Sequence, residues 1–114
     1  MRTANQIATE MLKKYPMMFR NNVGMAVNPK TGKKFRFGLM KGSGDWIGWS
    51  VVYKSSCMQS FCIFTSVEIK TYGDTLKPKQ RKWNRAVLRD GGIAEVWSEN
   101  ATGEIVIKTG KEIC

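Results

Sequence analysis

Apolar residues recur at helical spacing near the start of the chain, at strand spacing through its middle, and at helical spacing again before its last strands. Ala4, Ile7, Ala8, Met11, Leu12 and Tyr15 lie along one face of a 3.6-residue period. Thr3 and Gln6 precede that stripe three residues apart, the spacing of a capping box, and Pro16 stops it. A first helix is therefore predicted, followed from Met17 to Phe37 by short strands. Asn28-Pro29-Lys30-Thr31-Gly32 supplies turn chemistry between Met25-Ala26-Val27 and Phe35-Arg36-Phe37, which predicts a hairpin with a basic tip. Gly42-Ser43-Gly44 leads into Asp45 to Tyr53, an aromatic and β-branched run suited to a strand, with Lys54 to Ser60 as its loop. Phe61 to Thr71 is nearly continuous in Phe, Ile, Thr and Val, the pattern of a central strand covered on both faces. After Tyr72-Gly73-Asp74, Pro78 opens and Gly91-Gly92 closes a helix of about twelve residues. Ile93 to Trp97 and Glu104 to Lys108 read as two last strands. This order predicts an α/β domain around a mixed sheet.

Composition narrows the picture. A chain of 114 residues, 42% hydrophobic, closes one core that buries roughly two-thirds of its unfolded surface, so residues 1–114 are expected to form a single domain. No basic start is joined to an apolar run and a cleavage site, and no apolar stretch reaches membrane-spanning length, which predicts a soluble cytoplasmic protein without a membrane partner. Cys57, Cys62 and Cys114 are odd in number and lack CxxC spacing, so reduced thiols are expected.

Nineteen Lys and Arg against nine Asp and Glu give +10. Such a charge favours a polyanion, nucleic acid before all, because each neutralised phosphate releases a counterion. The basic residues are spread over several segments rather than along one amphipathic helix, which disfavours a membrane surface. The absence of histidine excludes a Ser-His-Asp hydrolase and a His-metal nuclease. Phosphodiester chemistry here would need oxygen ligands and a hard cation.

Glu68 and Lys70 stand two apart on a predicted strand, so both side chains leave one face while Ile69 leaves the other. If the Asp45 strand pairs with this one, Asp45 and Glu68 can share a divalent ion, with the Ile69 carbonyl as a further ligand. Lys70 would then orient water or steady the phosphate. Glu-x-Lys by spacing alone most often marks a solvated strand edge. Its place at the end of a strongly apolar strand favours chemistry, because two charges there require partners. The glycines before Asp45 read as a tight turn that lets a backbone approach closely.

Together these segments resemble a known family. Gly42-Ser43-Gly44-Asp45-Trp46-Ile47-Gly48, Val67-Glu68-Ile69-Lys70-Thr71, Leu76-Lys77-Pro78-Lys79-Gln80-Arg81-Lys82-Trp83 and Gly91-Gly92-Ile93-Ala94 are similar in order and spacing to the VRR-NUC (virus-type replication-repair nuclease) family, of the PD-(D/E)xK superfamily. Arg20-Asn21-Asn22-Val23-Gly24 and Arg36-Phe37-Gly38 resemble its upstream segment, so the likeness runs from about Arg20 to Ala94. The resemblance implies a restriction-endonuclease-like mixed sheet flanked by helices and Mg²⁺- or Mn²⁺-dependent DNA cleavage. It implies Asp45 and Glu68 as metal ligands, Lys70 as the catalytic lysine and Gln80 as an active-site helix residue. Stand-alone members are small phage proteins, which implies a phage or prophage source in a bacterial host. Two positions depart from the pattern: Lys79 stands where an acid is frequent, and Lys77 stands at the N-cap in place of Ser or Thr.

Gln80 shares a helix side with Trp83 and Val87, which face the sheet; a first-turn Gln satisfying free backbone groups is the competing account. Glu10, beside the Ile7/Met11 stripe, is a candidate ligand because many nucleases of this fold take a carboxylate from the first helix, although an exposed flank explains it equally simply. Arg81, Arg85 and Arg89 form an i, i+4 stripe, joined by Lys77, Lys79 and Lys82, that suits a DNA backbone. Lys30, Lys33, Lys34 and Arg36 on the hairpin form a second basic surface. Trp46, Trp49, Trp83 and Trp97 fall at positions expected to be core. The leading expectation is thus a structure-selective DNA endonuclease for branched or four-way junctions, acting as a symmetric dimer to cut both strands. The rival is a non-catalytic basic nucleic-acid-binding module in which Glu68 and Lys70 are a structural ion pair.

Overall fold

A computed structural model describes residues 1–109, and Cys114 lies outside them. Helix α1 spans Ala4–Lys14, capped as its sequence predicts: the Gln6 N–H donates to Thr3 Oγ1 at 3.2 Å and the Thr3 N–H to Gln6 Oε1 at 2.8 Å. Three short strands follow, β1 Met18–Arg20, β2 Gly24–Val27 and β3 Lys34–Phe37, then the long β4 Trp46–Lys54 and β5 Gln59–Lys70. Helix α2 spans Pro78–Arg89, and β6 Ile93–Glu99 and β7 Ile105–Thr109 are the last elements among the described residues.

The main sheet has the order β1-β4-β5-β6-β7, with β5 and β6 parallel and the other pairs antiparallel. It is mixed because α2 is the crossover returning the chain alongside β5, the connection that parallel pairing requires. Strand alternation divides its side chains between two faces. Val67, Ile69 and Trp97 meet Ile7, Ala8 and Met11 of α1 on one face, whereas Ala94 and Val96 meet Val87 of α2 on the other. Ile7 and Met11 are wholly buried, each such side chain contributing about 1.5–3 kcal/mol. On the α1 face, buried Glu95 accepts from Tyr15 Oη at 2.8 Å and Trp97 Nε1 at 3.0 Å, which supplies the partners a buried carboxylate needs.

Two expectations are corrected, the cover of β5 and the burial of the tryptophans. β5 is covered only from Thr65 to Lys70; its first half forms with Val51 to Lys54 an exposed ribbon, because neither helix reaches that far. The β2–β3 hairpin forms where its turn residues predict it, as a separate two-stranded sheet with Met25, Val27, Phe35 and Phe37 exposed. Trp97 is buried, but Trp46, Trp49 and Trp83 are only partly covered. No helix among the described residues is long and apolar enough to cross a membrane, and Cys57 and Cys62 are exposed free thiols.

Candidate active site

The β4–β5 ladder pairs Trp46 with Val67, so the residue before Trp46 faces the one after Val67. This antiparallel register brings Asp45 opposite Glu68. Asp45 Oδ2 accepts from the Ile69 backbone N–H at 2.9 Å, which fixes its carboxylate at the end of the strand. The Ile69 side chain lies in the α1-side core, so the residue presents only its backbone here.

Glu68 is 3% exposed and Lys70 5%. Burial, and then the charge of Asp45, push the Glu68 carboxyl up to about 8, with Lys70 pulling the other way. Lys70 Nζ lies 3.9 Å from Glu68 Oε1 and 3.6 Å from Asp74 Oδ2. Two facing carboxylates and an ammonium thus occupy the end of the sheet beside α2, an arrangement in which a further cation would relieve the repulsion between the acids.

The glycine loop positions Asp45. Gly42 has φ +92° and lies against the Lys79 backbone, which a Cβ at Gly42 would meet at 2.8 Å. Gly44 packs directly on Ser66. Asn21 braces the loop: its Nδ2 donates to Ser43 Oγ and the Gly44 carbonyl, both at 2.8 Å, and its Oδ1 accepts from the Leu39 N–H at 3.2 Å. The Asn21 N–H also donates to the Asp45 carbonyl at 2.8 Å. Asn21 was legible only as part of the upstream segment, because bracing a loop two strands away leaves no local pattern.

Gln80 bonds both to a free backbone group and to the sheet. Its Oε1 accepts from the Lys77 N–H at 2.8 Å, the return half of a capping box, while its Nε2 donates to Glu68 Oε1 at 2.9 Å. Lys77 has no acceptor with which to supply the other half. Asn84, one turn beyond Gln80, is 2% exposed and its Nδ2 finds no partner among the described residues. Sequence reasoning missed it, although an Asn four residues after an inward Gln is itself a signal.

Glu10 is not brought to this group. Its carboxylate pairs with Lys13 Nζ at 2.9 Å, and α1 packs on the sheet face opposite Glu68 and Lys70. No set of three or more acidic or sulfur ligands occurs among the described residues, so protein donors to an ion would be Asp45, Glu68 and the Ile69 carbonyl. Two carboxylates completed by water and substrate phosphate suit Mg²⁺, which rarely takes an all-protein cage.

Lys77, Lys79, Arg81, Lys82, Arg85 and Arg89 are all exposed on α2. Arg81 borders a cavity of about 140 Å³ together with Lys70 and Asp74. Arg89 is held by Asp90 at 3.0 and 3.3 Å. Lys30, Lys33, Lys34 and Arg36 are exposed on the hairpin. Asp45 borders a polar cavity of about 260 Å³ shared with Arg20 and Asn22; Arg20 lies over Trp46, 5.9 Å from the ring centre.

Compared with known families, residues 6–98 of the chain match the model of the VRR-NUC domain. No curated protein matches the chain.

Proposed function

The chain belongs to the VRR-NUC domain family, a nuclease of the PD-(D/E)xK type with a restriction-endonuclease-like α/β fold, and on that premise we propose a DNA endonuclease that depends on Mg²⁺ or Mn²⁺ and selects branched DNA. The observation that carries this reading is the pairing of two facing carboxylates, Asp45 and Glu68, with the buried Lys70. An ion held by Asp45 and Glu68 would supply positive charge to offset the negative charge developing on the phosphate and would favour ionisation of water.

The remaining work falls to the chain. Asp45, tied to the Ile69 N–H, and Glu68, tied to Gln80, hold their oxygens in place before substrate arrives, so little reorganisation accompanies reaction. Lys70 Nζ directs its protons at the phosphate oxygens or the attacking water. Exposed cations of α2, among them Arg81, which lines a cavity with Lys70, draw in and hold the backbone. A symmetric dimer would present two such sites to a branched substrate, and the exposed apolar side chains of the hairpin supply a surface for it.

The decisive assay incubates labelled linear and four-way DNA with the protein in Mg²⁺, Mn²⁺ or EDTA, beside Asp45→Asn. Cleavage with either ion, none in EDTA, and a drop of orders of magnitude in Asp45→Asn are expected. Equal cleavage in EDTA, or normal Mn²⁺ affinity in the variant by calorimetry, refutes the site.

A further inference from the structure

Away from the carboxylates, a cavity of about 700 Å³ lies between α2, the first half of β5 and the connection leading to Asp45. Its floor is aromatic. Phe64 is 42% exposed and meets the Trp83 ring edge-on, with centres 6.2 Å apart. The bond from Trp83 Nε1 to Ser66 Oγ at 2.9 Å holds that ring towards the sheet. Gly92 keeps one end open, since a Cβ there would meet Val87 Cγ1 at 2.7 Å. The cavity's lining is basic, with Arg36 and Lys41 from the hairpin and the connection after it and Lys79 and Lys82 from α2. The acid in the lining, Asp90, has both carboxylate oxygens engaged by Arg89.

Cations around an apolar, aromatic floor match a ligand with anionic links and a flat face. A base inside a duplex has both faces covered, so an unpaired base, free to leave the stack, is the one suited to lie on Phe64. We propose that this groove is a subsite for an unpaired nucleotide of the DNA substrate, with the base on Phe64 and the phosphates among Lys41, Lys79 and Lys82. The proposal rests on the nuclease reading and adds what that reading lacks, a source of structure selectivity.

The placement relative to the cut is fixed by the strand. Phe64 precedes Glu68 by four residues of β5, about 13 Å at roughly 3.3 Å per residue. Lys41 and Asp45 are joined by a span of at most about 14 Å. At roughly 3.4 Å per nucleotide of a stacked duplex strand, and more where the strand is unstacked, at most about four nucleotides separate the unpaired base from the scissile phosphate.

The test compares a blunt duplex with the same duplex carrying a single-stranded tail that contains 2-aminopurine, using wild type, Phe64→Ala and Phe64→Trp. Binding is read in EDTA and cleavage in Mg²⁺. Wild type is expected to prefer the tailed DNA and to quench the probe. Phe64→Ala should lose about tenfold in tailed-DNA affinity, within the roughly 5- to 150-fold range of a lost base stack, while its blunt-duplex affinity and cleavage stay unchanged. Phe64→Trp should restore the preference. Equal losses on both DNAs, or no loss on either, overturn the subsite alone. Dissociation of a dimer by Phe64→Ala in size-exclusion chromatography also overturns it, by placing a second copy in the groove. A wild-type protein that neither binds nor cuts DNA overturns the nuclease reading and the subsite together.

Discussion

Glu68→Gln should destroy cleavage and yet strengthen the metal-free fold at alkaline pH. Glu68 ionises near 4.5 in an unfolded chain, but burial and the charge of Asp45 raise it to about 8 in the folded protein. Because the folded pKa is the higher, stability is greatest below pH 4.5 and is lost progressively as pH rises to about 8. The difference of 8 − 4.5, about 3.5 pH units at 1.36 kcal/mol each, amounts to about 5 kcal/mol above pH 8 and about 3 kcal/mol at pH 7. Glutamine has no charge to bury, and its carbonyl oxygen can still accept from Gln80 Nε2. Urea denaturation in EDTA at pH 5 and pH 8.5 measures the effect, and the difference between the two proteins cancels the titrating groups that lie away from Glu68, Asp45 and Lys70. The variant's advantage should grow by a few kcal/mol between these pH values. Adding Mg²⁺ should then stabilise wild type and leave the variant nearly unmoved, since an ion that binds only the native site of one protein shifts only that protein. An advantage independent of pH, or equal Mg²⁺ stabilisation of both, would refute the argument that Glu68 and Asp45 are held together against their repulsion.

Lys70→Ala should lose cleavage by orders of magnitude while keeping its circular dichroism spectrum and most of its Mn²⁺ affinity in calorimetry, because the lysine acts on water or phosphate and not as a ligand. DNA affinity should fall steeply with salt, and Arg81→Ala with Arg85→Ala should lower the slope of log K against log salt by about two; an unchanged slope would move the DNA to the Lys30 to Arg36 hairpin. Gly44→Ala drives a methyl group into Ser66 and to 3.2 Å from the Val67 carbonyl, so it should cost about 1–3 kcal/mol in urea and displace Asp45, with cleavage falling more than stability explains. Tyr15→Phe deprives buried Glu95 of one of its donors and should cost about 1.5–3 kcal/mol while cleavage at a temperature where the fold is intact stays normal.

The sequence by itself determined what depends on near neighbours in the chain. The Thr3/Gln6 box and the Ile7-Ala8-Met11 stripe specify α1, because capping and a 3.6-residue face are local. Gly32, at φ +71°, turns the hairpin where the Asn-Pro-Lys-Thr-Gly run requires it. Pro78 and Gly91-Gly92 bound α2, and alternation alone sets Glu68 and Lys70 on one face. Tertiary structure decided what depends on register and on which face each helix covers. Asp45 meets Glu68 only because β4 and β5 pair with Trp46 opposite Val67, and a shift of one residue would turn it to the other face. The bond from Gln80 to Glu68 and the Asn21 brace join segments 12 and 22–23 residues apart, whose meeting no local pattern encodes. Glu10 carried the same local signal as a ligand would, and only the docking of α1 on the face opposite Glu68 separates it from the site. The exposed half of β5 reads as core for the same reason: its residues are as apolar as those of a covered strand, and what covers a strand is chosen by the length and placement of helices elsewhere in the chain.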